Sequence, residues 1–197
     1  MDDLLKKDAE AFNLLLSKEY HIIGGKKRTL IDIYINFKKD DFFHLAGLHK
    51  LKDIDILHNA GIDKADIFNK ILDGEIKYQD ISKSVFWDEV QGRVDNLYRL
   101  ENLLDNENLF FRFYKNKVKG SGINADYVFY FESNEPKAYF FLTGRDENQH
   151  MCLCGCSFFP SQYNTYIVKQ PRYTIIYKDK QYLTTHEKII FVDKLKR

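Results

Sequence analysis

The sequence lacks the short motifs that identify several large enzyme classes. It contains no Gly-x-Ser-x-Gly, no Walker phosphate loop, no dinucleotide-binding glycine fingerprint and no His-Glu-x-x-His. These absences weigh against the commonest hydrolases, nucleotide-binding proteins and zinc proteases. Any catalytic site must therefore be sought in less specific patterns.

Proline, cysteine and net charge are also scarce. Only three prolines and ten glycines occur in 197 residues, so disorder is not expected. Three cysteines, an odd number, suit a reducing cytosol better than a disulfide framework. No apolar run is long enough for a membrane span, and the acidic, lysine-rich N-terminus does not resemble a signal peptide. A cytoplasmic protein is predicted, and with a formal net charge of +1 any site for a polyanion must be a local patch.

Aromatic residues are abundant, which favours β structure. With 13 tyrosines, 16 phenylalanines and 44% hydrophobic residues, the chain can build a sizeable core. Its length suits a single domain over residues 1–197, with residues 1–18 as an N-terminal covering helix. Apolar positions at three- and four-residue steps predict further helices from Phe42, over 63–72 and over 85–104, after a hairpin with its turn at Gly24–Lys27.

From Leu109 onward the hydrophobic period is two, which is typical of strands. The strand candidates are Leu109–Tyr114, Tyr127–Phe131, Ala138–Thr143, Met151–Phe159, Tyr166–Lys169, Tyr173–Tyr177 and Lys188–Val192. Asp179–Gln181 is expected to form a turn. Helices followed by sequential strands indicate an α+β fold, in which the N-terminal helices and hairpin pack on a curved antiparallel sheet.

The stretch from Phe42 to Leu51 indicates chemistry more than packing. It follows a predicted strand and contains His44, His49 and Lys50. Imidazoles transfer protons in both directions near neutral pH, and together with a cation that stabilises the phosphorane they can cleave RNA without a metal. The alternative is that His49 is a hydrogen-bonded core residue and His44 a surface residue.

Helical geometry predicts that the two imidazoles do not lie side by side. At about 100° per residue, His49 falls within the apolar stripe of a helix that starts at Phe42, and His44 lies about 140° away. A shared role then requires His44 at the edge of a cleft and His49 on its inner wall. A site on the surface of this helix alone is excluded unless the helix breaks at Gly47.

Arg93 is a further candidate, because it shares the buried face of the predicted helix 85–104 with Glu101. A buried charge is costly unless it is paired. Arg93 therefore either pairs with Glu101 or another acid, or it points into a site, where its planar fork suits phosphate oxygens.

Cys152, Cys154 and Cys156 form a weak metal motif. In a strand they face the same side, roughly 6.5–7 Å apart, and no second pair of ligands stands at zinc-ribbon spacing. Structural packing is therefore favoured over a zinc-stabilised domain, and no cofactor is expected. Ser157 faces the opposite side of this strand, where it either binds a phosphate or caps a turn.

A series of motifs runs through residues 28–178. The segments are Phe42-x-His44-Leu45-x-Gly47-Leu48-His49-Lys50-Leu51, Arg93-Val94, Ile123-x-Ala125-Asp126-Tyr127, Ser157-Phe158-Phe159-Pro160, Tyr166 and Gln170. Their order and spacing resemble a phage-associated nuclease family, the fourth phage subgroup of the barnase–EndoU–colicin–RelE-like ribonuclease superfamily. The resemblance implies a RelE/barnase-like ribonuclease fold for a core at 28–178. It also implies a metal-independent RNase that cleaves through the 2′-hydroxyl to a cyclic phosphate.

The resemblance implies roles for individual residues as well. The implied catalytic residues are His44, His49, Arg93 and Ser157. The residues implied to lie near the substrate are Lys50, Tyr166 and Gln170. The leading hypothesis is an endoribonuclease or RNase-type toxin of a phage or mobile element, with RNA as substrate and a cognate antitoxin or inhibitor protein as a further partner. The alternative is a non-catalytic module on the same fold that binds RNA or a protein.

Overall fold

The computed structural model describes residues 3–58, 61–106, 108–133, 135–145 and 151–195. This part of the chain forms six α-helices and eight β-strands, joined in places by 3₁₀ turns. The helices are α1 (Leu4–Leu15), α2 (Lys39–Leu45), α3 (Lys64–Leu72), α4 (Tyr78–Ile81), α5 (Gln91–Val94) and α6 (Leu100–Asp105). The strands are β1 (Lys18–Lys26), β2 (Thr29–Ile35), β3 (Leu109–Arg112), β4 (Tyr127–Phe131), β5 (Ala138–Arg145), β6 (Cys152–Pro160), β7 (Arg172–Tyr182) and β8 (Lys188–Asp193).

Seven of the strands close into a barrel. The sheet has the order β1-β2-β6-β5-β4-β3-β7-β8, and β1 also pairs with β7, which leaves β8 outside the ring. The α+β class predicted from the sequence is confirmed. The predicted curved antiparallel sheet differs from the observed one, because the sheet closes and because β2 runs parallel to β6. Five helices and three strands separate these two strands along the chain, which provides the long crossover that a parallel pair needs.

Helix α1 lies within residues 1–18, where the sequence predicts a helix, and it packs mainly against α3, α6 and the 3₁₀ turn Leu97–Arg99. Asp3 begins the helix by accepting a hydrogen bond from the backbone N–H of Lys6, and apolar residues such as Phe12 are buried on its inner face. The helix ends at Leu15 because Lys18 already begins β1. Among the helices of the described residues, none combines the length and the apolar character needed to cross a membrane.

The hairpin turn lies later in the chain than predicted. Gly24 and Gly25 belong to β1, and the turn includes Lys27, whose φ is 55°. Strand β7 approaches both glycines closely, since a Cβ on Gly25 would lie 2.5 Å from Cδ1 of Ile176 and a Cβ on Gly24 would lie 3.3 Å from Cβ of Tyr173. The two glycines thus serve the close approach of two strands and not the turn.

The long helix predicted over residues 85–104 is wrong. The segment contains 3₁₀ turns at Trp87–Glu89 and Leu97–Arg99 in addition to α5 and α6. Asp8 of α1 accepts a hydrogen bond of 2.7 Å from the backbone N–H of Tyr98, and this tertiary bond takes the place of a helical one. Packing against α1 therefore interrupts a segment whose hydrophobic period is helical.

Two predictions for the C-terminal part are also wrong. Tyr166–Lys169 forms a turn instead of a strand, because backbone N–H groups of this segment donate to the carbonyl oxygen of Asn164 at 3.1 and 3.2 Å. Asp179–Gln181 lies inside β7 instead of forming a turn. There Lys180 is buried and pairs with the carboxylate of Glu101 at 2.9 Å. A strand segment whose charged residues pair inside the structure thus has the same polar composition as a turn.

Strands β3 to β6 are covered on both faces. Helices pack on one face, and a second hydrophobic cluster forms on the other. Its buried members are Phe111, Phe113, Val118, Val128, Tyr130, Tyr139 and Phe141. The β3–β4 and β6–β7 loops contribute partly buried residues to this cluster, so all five residues of β4 are buried. Both loops thereby reach the C-terminal half of β6.

Helix α2 ends at Leu45, and the 3₁₀ turn Leu48–Lys50 follows it. Between them Gly47 has a φ of 79°, a left-handed conformation that favours glycine. A Cβ at this position would also lie 2.7 Å from Cδ of Arg93. The helix predicted to start at Phe42 is therefore broken at Gly47.

We expect Gly47→Ala to destabilise the protein more than Gly74→Ala. The two glycines have φ angles of 79° and 78°, but a Cβ on Gly74 would meet no atom within 4 Å. The strained backbone should cost about 1 kcal/mol in both variants, and overlap with Arg93 should cost about 1–3 kcal/mol more in Gly47→Ala. Chemical denaturation measures both losses. Equal losses of unfolding free energy would contradict a tight contact between Gly47 and Arg93.

Candidate active site

The break at Gly47 brings His44 and His49 together. Their ring centroids lie 5.0 Å apart, with an interplanar angle of 48°. The prediction that the two imidazoles point in different directions is therefore wrong, because it assumed a helix that continues through Gly47. Both side chains are half-buried, so the pair lies between the core and the surface.

Both imidazoles are neutral at neutral pH. Nε2 of His44 lies 2.9 Å from Nζ of Lys64, and because an ammonium group can only donate, this nitrogen is the acceptor. Burial and the charge of Lys64 lower the pKa of His44. Burial makes the largest contribution to lowering the pKa of His49, and the neighbouring His44, Arg93 and Lys50 lower it further, to about 4. A neutral His49 can accept a proton, which is what a general base does.

An open cleft of about 640 Å³ lies beside His49. It brings together five of the seven residues predicted to have a catalytic or substrate-binding role, namely His49, Lys50, Arg93, Ser157 and Tyr166. They come from the 3₁₀ turn after α2, from α5, from β6 and from the β6–β7 loop. Residues that are far apart in the chain thus converge on one surface depression, which is large enough for more than a phosphate group.

His44 and Gln170 are not among the residues that line this cleft. His44 contacts the cleft residue His49. Gln170 is buried, where its Nε2 donates to the carbonyl oxygen of Tyr114 and its Oε1 accepts from the N–H of Tyr114, both at 3.0 Å. Gln170 therefore holds the start of the β3–β4 loop, and the role near substrate that the resemblance implied for it has no support in its position.

Arg93 forms the floor of the cleft. Its side chain is buried, Nη1 donates to Oγ of Ser157 at 3.1 Å, and the guanidinium carbon lies 5.2 Å from the ring centroid of Phe159. Burial lowers the pKa of Arg93 to about 10, so the side chain stays charged at neutral pH. Glu101, the acid considered from the sequence, pairs with Lys18 instead. Within the described residues Arg93 has no ion-pair partner and its Nε makes no hydrogen bond.

A β-bulge turns Ser157 into the cleft. Phe141 of β5 pairs with Ser157 but Leu142 pairs with Gly155, so Cys156 is the extra residue on β6. Cys156 and Ser157 both line the cleft as a result. The sequence-based prediction that they face opposite sides is wrong, because it assumed regular alternation along the strand.

The cysteines of β6 act as packed thiols. Burial raises the pKa of Cys156 to about 12 and also raises that of Cys154. Sγ of Cys156 lies 3.6 Å from the carbonyl oxygen of Asn124, and Sγ of Cys154 lies 3.8 Å from that of Thr143. In the part of the chain that the structure describes, no group of three or more His, Cys, Asp or Glu residues could hold a metal ion.

Sequence patterns did not indicate three polar residues of the cleft, which are Asp88, Glu89 and Asn124. Glu89 accepts a hydrogen bond of 3.0 Å from Nζ of Lys50. Its position four residues before Arg93 could have pointed to it, since residues at this spacing share a helical face. No sequence signal links Lys64 to His44, because their contact joins two different helices.

We expect His49 to titrate with a pKa of about 4 when its imidazole signals are followed by NMR. In Lys64→Met the pKa of His44 should rise, because the ammonium group that opposes its protonation is removed. Lys70→Met, on the same helix α3, is the matched control. If His44 titrates at the same pH in Lys64→Met and in the unmodified protein, the Lys64 contact does not govern it.

A family model matches the chain from residue 4 to residue 195, and its description is phage-Barnase-EndoU-ColicinE5/D-RelE like nuclease4. The match includes every residue of the cleft, and it confirms the resemblance inferred from the motifs. No curated protein and no solved structure matches the chain. The RelE/barnase-like fold implied by the resemblance therefore stays a prediction.

Proposed function

The chain belongs to this family of phage-associated nucleases, and we propose that it is a metal-independent endoribonuclease whose cleft binds the scissile phosphate. The observation that carries the proposal is the buried, charged Arg93 with no carboxylate partner among the described residues. A buried cation is costly unless an anion offsets it. A phosphodiester in the cleft would supply that anion next to His49.

Three groups of the cleft suit a phosphate. The planar guanidinium of Arg93 matches phosphate oxygens in geometry. Oγ of Ser157 accepts from Arg93, which leaves its O–H free to donate to a phosphate oxygen. Lys50 adds a cation at the rim, where Glu89 partly balances its charge. These contacts would also stabilise the extra negative charge of a phosphorane.

Neutral His49 is the proposed general base. It takes the proton of the ribose 2′-hydroxyl, and the 2′-oxygen attacks the phosphorus. The bond from phosphorus to the 5′-oxygen breaks, and this oxygen receives a proton from Lys50. The products are a 2′,3′-cyclic phosphate and a free 5′-hydroxyl. His44 does not line the cleft, so it is a positioning residue that acts through His49.

A second candidate is an RNA-binding module without turnover. The observation that favours it is the pKa of His49, about 4, because a base with so low a pKa is weaker than one poised near neutral pH. A bound phosphodiester favours the enzyme, since its negative charge raises the pKa of a nearby imidazole. As the biological setting we propose a toxin of a phage or mobile element that a cognate inhibitor protein restrains, which goes beyond the nuclease description of the family.

We expect the purified protein to cleave RNA in the presence of EDTA. His49→Ala should lower the rate by about 10²–10⁴-fold through loss of the base, and Arg93→Met by about 10²-fold or more through loss of charge stabilisation. His21→Ala and Arg172→Met change the same residue types away from the cleft and should leave the rate unchanged.

The products identify the mechanism. RNA fragments should end in a 2′,3′-cyclic phosphate, and an oligonucleotide with hydrogen in place of each 2′-hydroxyl should stay intact. Cleavage that requires a divalent metal, or that persists in the deoxy oligonucleotide, would exclude this mechanism. Binding of RNA with no cleavage would support the second candidate.

A further inference from the structure

One wall of the cleft is not used by the proposed phosphoryl chemistry. Asn124 of the β3–β4 loop and Tyr166 of the β6–β7 loop line it. We propose that this wall is a nucleobase subsite that selects uracil and guanine, which carry a carbonyl oxygen at C4 and C6 respectively, over cytosine and adenine, which carry an amino group at the same positions. The inference rests on the proposed function, because it takes RNA as the ligand.

The side-chain amide of Asn124 is oriented by Lys115. Nζ of Lys115 donates to Oδ1 of Asn124 at 2.8 Å. Because an ammonium group has no acceptor, the oxygen of the amide must face the lysine and the nitrogen must face away from it. Asn124 is exposed, and its Nδ2 makes no hydrogen bond within the described part of the chain. The amide therefore offers the cleft its N–H donors.

This orientation distinguishes bases by their exocyclic groups. An asparagine with both ends free can pair with adenine, by accepting from the amino group and donating to a ring nitrogen. In Asn124 one lone pair of Oδ1 already accepts from Lys115, whose positive charge also repels the partly positive hydrogens of an amino group. The free donors suit O4 of uracil or O6 of guanine, which are acceptors. Single-stranded RNA exposes these edges for such contacts.

The loop that carries Asn124 is fastened at several points, so the amide has a defined position. The carbonyl oxygen of Asn124 accepts from Sγ of Cys156 on β6 at 3.6 Å. After Asn124, the carboxylate of Asp126 accepts from Arg112 at 3.1 Å and from the N–H of Gly144 at 2.9 Å. These bonds tie the loop to three strands, β3, β5 and β6. A donor held in this way loses little conformational freedom when a base binds.

The subsite adjoins the proposed phosphate site. Tyr166 and Phe159 are in edge-to-face contact at 5.5 Å, and Phe159 in turn lies under the guanidinium of Arg93. Aromatic surface of this kind accommodates bases of RNA without regard to their identity. The two carboxylates of the cleft, Asp88 and Glu89, belong to the segment that carries Arg93 and not to the two loops that form this wall. We therefore assign the discrimination between bases to Asn124.

The test compares ligands that differ in the exocyclic group and in the neighbouring ring nitrogen, which carries a hydrogen in uridine and a lone pair in cytidine. Fluorescently labelled 2′-O-methyl hexamers of uridine and of cytidine cannot react through the 2′-oxygen, so fluorescence anisotropy measures binding without cleavage. The uridine hexamer should bind about five- to tenfold more tightly, which corresponds to one hydrogen bond gained and one donor clash avoided. The inosine hexamer should likewise bind more tightly than the adenosine hexamer, because inosine carries a carbonyl oxygen where adenosine carries an amino group.

Two variants connect the preference to the amide. Asn124→Asp replaces the donors with acceptors, so the preference for uridine should be lost or reversed. Asn116→Asp makes the same change in charge on the same loop outside the cleft and should keep the preference. Lys115→Met lets the amide rotate and should reduce the preference toward equality.

Equal binding of the uridine and cytidine hexamers, or no binding of either, would overturn the proposed subsite. A preference for uridine that persists in Asn124→Asp would also overturn it. Cleavage of natural RNA is measured separately. If the protein cleaves RNA at all four bases alike, the subsite is wrong and the nuclease proposal stands.

Discussion

The burial of one guanidinium is the constraint on which the cleft depends. Arg93 is held between the turn at Gly47 and the ring of Phe159, and Oγ of Ser157 is its hydrogen-bond acceptor. Because its side chain fills the space that a Cβ on Gly47 would need, the residue that provides the positive charge also shapes the turn that carries His49. Packing and electrostatics are therefore coupled at this point.

The closed sheet supplies the rest of the cleft. A bulge at Cys156 directs Ser157 inward, and the loops that cover the second hydrophobic cluster bring Asn124 and Tyr166 to the same place. Each of these side chains is positioned by an irregular feature, a bulge or a loop, that stands on a rigid barrel. Such an arrangement is common where a fold carries a site, since regular strands alternate faces and leave few adjacent residues on one side.

The hydrophobic periodicity of the sequence was sufficient to predict those helices and strands that depend on their own residues. Helix α1 and most strands agree with their hydrophobic pattern, and α3 is capped by the side chain of Asp63 and followed by Gly74, as local capping predicts. The predictions were wrong where contacts between residues far apart in the chain determine the secondary structure. Asp8 interrupts the helix predicted over residues 85–104, and ion pairs of Lys180 keep a polar segment inside β7.

The sequence by itself determined the class of fold, the family and the types of side chain in the candidate site. Those properties depend on residue order and spacing, which motifs and periodicity record. Only the tertiary structure decided that His44 and His49 lie 5.0 Å apart, that Arg93 lacks a carboxylate partner among the described residues, and that Gln170 serves the backbone of a loop. These outcomes depend on a left-handed glycine, on a strand bulge and on which charges meet across the barrel. None of them is a property of neighbouring residues in the chain.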